Sequence, residues 1–105
     1  MADYKAPTRD MLFTLNHLAG LEAVCALPAF SESSPDLVAS VLEEAAKFAA
    51  DVLAPLNTVG DLIGTRVVGN QVREASGFGE AYLKFVEGGW PALPCNTTFG
   101  GMGLP

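Results

Sequence analysis

The stretch from Ser34 to Gly60, SPDLVASVLEEAAKFAADVLAPLNTVG, constrains this chain more than any other. Val38, Val41, Leu42, Ala45, Phe48, Ala49 and Val52 recur at +3, +4, +7, +10, +11 and +14. At about 3.6 residues per turn they fall on one stripe of a long amphipathic helix. Its start is marked three ways. Ser34 can accept from a free first-turn N–H, Pro35 loses no bond at the first helical position, and Asp36 sits at the positive end of the dipole. Glu43 and Lys47 are four apart in the favourable order on the polar face. Pro55 lies inside the pattern, removes one backbone bond and crowds the preceding turn, which predicts a kink. A single apolar stripe is not stable alone, so the remaining segments must cover it.

The chain has 105 residues, the size of one small domain, and half of them are hydrophobic. That composition supports a modest core and argues against disorder. The formal net charge of −6 argues against nucleic acid and against an anionic membrane surface, both of which need clustered Lys and Arg. No apolar run approaches the roughly 20 residues of a membrane helix. The opening MADYKAPTRD lacks the basic and apolar blocks of a secretory signal, so the default address is cytoplasmic. Cys25 and Cys95 have no CxxC spacing and there is one histidine, His17, so no metal-ligand set is patterned and two reduced, buried or half-buried thiols are expected.

Helical spacing predicts a first helix from about Thr8, a candidate cap, to Ala19, with Met11, Leu15 and Leu18 on one face, Leu12 beside them, and Gly20 as the stop. His17, among Asn16 and Thr14, reads as a solvent-exposed or locally bonded histidine and not a catalytic one. A short helical turn over Leu21 to Ala26 follows, and Phe30 is expected to plug a gap between helices. Between Gly60 and Gly77, Gly69-Asn70 separates two β-favouring runs, and a loop with some extended pairing is expected, because so short a hairpin is marginal. From about Phe78 the segment FGEAYLKFVEGG predicts a second clear helix, with Phe78, Tyr82, Phe85 and Val86 as a core row. The tail WPALPCNTTFGGMGLP has no periodicity. Its glycine run, Gly100-Gly101-Met102-Gly103, is not read as a phosphate loop, since no Lys-Ser/Thr follows it and no strand precedes it. Phe99 and Leu104 are expected to fold back on a neighbour. The sum is an all-α fold: about three antiparallel-capable helices, the long one kinked at Pro55, with a Gly/Pro-rich C-terminal loop.

The segment YLKFVEGGWPAL followed by FGGMGLP resembles the end of the N-terminal helical domain of acyl-CoA dehydrogenases. KFAADVLAPLN resembles the second helix of that domain, and YKAPTRDMLFTLNHL the extra N-terminal piece of a long-form subgroup. The matches span nearly the whole chain in the family's order. Thr98 departs from the pattern, standing where the family often has an acidic residue. The resemblance implies residues 1–33 as an N-terminal extension with the first helix, and residues 34–105 as an incomplete N-terminal helical domain. It implies a parent of three parts with FAD between the middle and C-terminal domains. In that family a C-terminal glutamate takes the α-proton of the acyl-CoA while hydride leaves the β-carbon for the flavin. None of Glu22, Glu32, Glu43, Glu44, Glu74, Glu80 or Glu87 matches the context of that base, so no catalytic, cofactor-binding or metal role falls on any residue of this chain. The implied partners are the remainder of such an enzyme, its acyl-CoA substrate and further copies in a homo-oligomer. Alone, the chain is expected to be inactive. The alternative is a free-standing helical module that recruits a partner helix to its apolar stripe. A small independent enzyme lacks any patterned nucleophile–base pair.

Overall fold

The computed structural model describes residues 3–105. Helices dominate: α1 (Thr8–Phe13), α2 (Leu21–Cys25), α3 (Pro35–Phe48), α4 (Ala54–Ile63) and α5 (Phe78–Glu87). A two-stranded antiparallel hairpin, β1 (Arg66–Val68) and β2 (Gln71–Arg73), joins α4 to α5. The chain is therefore mostly helical, in rough agreement with the all-α expectation, with this one small hairpin in addition. The expected loop is a formed hairpin, because Gly69 takes φ 63° while Asn70 stays at negative φ. A glycine in that geometry at the first central position gives the two-residue turn whose twist matches paired strands.

The long helix is one continuous helical segment from Pro35 to Ile63, three residues beyond the expected end. Ser34 caps it as the sequence dictates: its Oγ accepts from the Leu37 N–H at 3.1 Å. Ser34→Ala should cost about 1 kcal/mol of stability, read from the urea midpoint; an unchanged midpoint would mean that the cap contributes nothing. Ahead of Pro55 the helix widens into a π turn over Ala49–Leu53, closed by the Ala54 N–H on the Ala49 carbonyl. A proline ring crowds the carbonyl four residues back, and one wider turn relieves that crowding without ending the helix.

A second π turn, Thr14–Leu18, prolongs α1. It shifts the helical phase by nearly one residue, so Leu18 leaves the face of Leu15 and is 77% exposed. Met11, ahead of the turn and expected on the same face, is exposed too, while Leu12 and Leu15 are half-buried. Thr8 is the first helical residue and makes no capping bond; Pro7 holds the cap position. Lys47 pairs with Glu44 at 2.6 Å and not with Glu43. That hydrogen bond, together with the Glu44 charge, raises the Lys47 pKa.

Helix α5 runs antiparallel to the long helix. Its start, Phe78, meets Gly60, where a Cβ would lie 2.7 Å from the ring. Its end, Phe85, lies against Phe48, with centroids 6.2 Å apart. Trp90 reaches the same Phe48 ring, also at 6.2 Å. The tail then closes on itself: the N–H groups of Met102, Gly103 and Leu104 donate to the carbonyls of Ala92, Cys95 and Leu93.

The result is a slab of 53 × 33 × 18 Å. Its radius of gyration is 17.2 Å, against roughly 13 Å for a compact chain of this length. Among the described residues only Leu21, Cys25, Ala75 and Ala81 are buried among hydrophobics, and no large side chain is fully buried. The exposed surface is 7814 Å², whereas a compact 11.0 kDa protein shows roughly 5,600 Å². Thickness explains the excess: 18 Å is less than two stacked helices of about 10–12 Å each with their side chains.

Candidate functional surface

One apolar groove runs along the seam between the long helix and α5. Leu53, Leu56 and Asn57 form one wall, and Phe78, Ala81, Tyr82 and Phe85 the other, around a space of about 360 Å³. The aromatic row read as core is thus half of an open groove: Tyr82 is 65% exposed, and Phe78 and Val86 are also exposed. The buried contact is made by Ala81, a small side chain that lets α5 approach the long helix closely. The sequence signal for it was an alanine three residues after Phe78, outweighed by the larger rings around it.

A second apolar depression, about 300 Å³, gathers Leu15, Leu21, Val38, Leu42, Leu93 and Leu104. Here the first helix, the long helix and the returning tail meet, so the fold-back expected of Leu104 is present. The same expectation fails for Phe99, which is 87% exposed at the loop tip. Phe30 is half-buried. Cys25 is buried as a small hydrophobe, but Cys95 is exposed, against the expectation for it.

The seven glutamates considered above are all exposed. His17 is exposed too, its ring tilted at 48° against that of Phe13 with centroids 4.9 Å apart. Among the described residues, no group of three or more His, Cys, Asp or Glu is placed to hold a metal ion, and no helix is long and apolar enough to cross a membrane.

The glycine-rich tail answers the phosphate-loop question by its hydrogen bonds. The N–H groups of Gly100, Gly101, Met102, Gly103 and Leu104 each donate to a backbone carbonyl within residues 92–97. A phosphate cradle needs several free, converging N–H groups, and these are engaged. Lys47 and Lys84 are likewise occupied, by Glu44 and Glu80. These residues do not fit the pyrophosphate of a dinucleotide cofactor.

No family model matches this chain. It is similar to the 3-methylmercaptopropionyl-CoA dehydrogenase of Ruegeria pomeroyi, with 40% identity over 102 residues. The match takes in 97% of this chain and 17% of that enzyme, so the chain spans about a sixth of the curated relative's length.

Proposed function

We propose that this chain serves as the N-terminal helical part of an FAD-dependent acyl-CoA dehydrogenase. Its role is scaffolding: it walls one side of the acyl-CoA and flavin region and takes part in subunit contacts. The observation that carries the reading is the 40% identity to the Ruegeria enzyme along nearly the entire chain. Two physical features support it. The open slab leaves apolar faces that a larger protein would cover. The engaged amides of the glycine-rich tail favour a flavin site outside these residues. In this reading residues 1–33 are an extension and residues 34–105 the helical domain proper.

The test is a chimera in which this chain replaces the matching segment of the Ruegeria enzyme. The chimera is expected to hold FAD and to reduce an electron acceptor in the presence of the acyl-CoA thioester. A version with the segment deleted should do neither. A chimera as inactive and as flavin-free as the deletion would sink the proposal. The isolated chain is expected to show no flavin absorbance after incubation with FAD; a yellow protein after gel filtration would overturn that part.

The open groove also suits a free-standing module that takes a partner helix between the long helix and α5. The chimera separates the two readings, since a module of that kind would not restore a flavoenzyme.

A further inference from the structure

Residues 62–73 contain two arginines and no acid, in a chain of formal net charge −6. The hairpin brings these arginines together. Arg66 is the register partner of Arg73, and Val68 of Gln71, so all four share one face. Directly opposed Cβ atoms lie about 5 Å apart, and like charges at that distance destabilise the pairing. Both strands are three residues long and exposed at every position, so little packing offsets the repulsion. Neither arginine has a carboxylate partner among the described residues, although Lys47 and Lys84 both do. The Arg73 guanidinium is also held in place: its Nη2 donates to Gln71 Oε1 at 2.6 Å.

Two guanidinium groups borne by directly opposed residues, that of Arg73 hydrogen-bonded to Gln71, match an oxyanion that accepts from both. A carboxylate would balance one of the two charges. A phosphate monoester carries about −1.5 to −2 near neutral pH and offers three acceptor oxygens. We propose that the Arg66–Arg73 face of the hairpin binds a phosphate monoester. Resting on the acyl-CoA reading above, the monoester is the 3′-phosphate of the coenzyme A moiety, the one monoester that coenzyme A carries. The hairpin then grips the nucleotide end of the substrate, away from the thioester.

The experiment follows the backbone amide resonances of the isotope-labelled full chain at low salt during titration with ribose 5-phosphate, coenzyme A and dephospho-coenzyme A. Ribose 5-phosphate and coenzyme A are expected to shift the amides of residues 66–73 saturably, with helix amides unmoved. Dephospho-coenzyme A, which lacks the monoester, should bind on the order of tenfold more weakly, and added salt should weaken all binding. Arg66→Gln and Arg73→Gln should each abolish the hairpin shifts. Both side chains are exposed, so the helix resonances of the variants serve as the folding control. A hairpin unmoved by ribose 5-phosphate, or shifts that survive both substitutions, would overturn the phosphate site. Equal binding of the two coenzymes with ribose 5-phosphate still bound would overturn only the coenzyme assignment. A failed chimera beside intact phosphate binding would remove the acyl-CoA reading and leave the site standing.

Discussion

Gly101→Ala should open the C-terminal loop and cost about 3–4 kcal/mol. A methyl at this position would fall on the backbone carbonyl of Cys95, well inside van der Waals contact. Backbone cannot yield as the tip of a flexible side chain can, so the two segments must separate. Four hydrogen bonds close the loop here: Gly101 to Asn96 (3.1 Å), Met102 to Ala92 (3.1 Å), Gly103 to Cys95 (2.9 Å) and Leu104 to Leu93 (3.0 Å). Each is worth about 1 kcal/mol net, and separation loses most of them together. Leu104 would also leave the apolar depression that it shares with Leu15, Leu21 and Leu42. Amide exchange at residues 101–104 and the urea midpoint both report the change. Gly100→Ala is the control. That position has open space around it and φ 82°, so only left-handed strain of roughly 1–2 kcal/mol applies. If the two substitutions behaved alike, with amides 101–104 still protected, the close approach would not be what holds the loop.

The loop shows what the sequence reveals and what it leaves out. Glycine and proline density marked an irregular tail, but not which glycine touches which carbonyl, because that contact joins segments without periodicity. The long helix was legible at its start, where Ser34, Pro35 and Asp36 act within one turn. Its course past Gly60 was not, since helix propensity at single positions is overridden by neighbours. The π turns escaped the reading altogether. A pattern scored at 3.6 residues per turn keeps phase through Thr14–Leu18, and so it put Leu18 on the wrong face.

The aromatic row of α5 went astray for another reason. Spacing identifies which face is apolar and says nothing of what covers it. Phe78, Tyr82 and Val86 do share a face, yet that face borders an open groove. The arginine pair on the hairpin was illegible in a similar way. Arg66 and Arg73 are seven residues apart, and only the register of the turn makes them neighbours. The absence of a patterned base among the glutamates was a reading of context alone; the structure adds only that all seven are exposed.

Phe48→Ala should cost about 3 kcal/mol and loosen α5 from the long helix. Phe48 is the one ring that touches both Phe85 on α5 and Trp90 just beyond it, with centroids 6.2 Å away in each case. Aromatic pairs of this geometry contribute about 0.5–1.5 kcal/mol each beyond the area they bury. Truncating a fully buried phenylalanine costs about 3–5 kcal/mol. Phe48 is only half-buried, which places it at the lower end of that range. A larger domain would spread such a loss over many contacts. Here the seam has few substitutes, because the groove beside it is open and its other buried contact is the small Ala81. Trp90 is the sole tryptophan, so its emission reports the seam directly, and a red shift should accompany the lower urea midpoint. Phe99→Ala removes a ring of the same size that is 87% exposed, and it should change stability by less than about 0.5 kcal/mol. Ring size is thus held constant while packing differs. If both variants unfolded at the parent midpoint with unshifted emission, the stability of the slab would have to reside at the other end, where α1, α2 and the tail meet over Leu21.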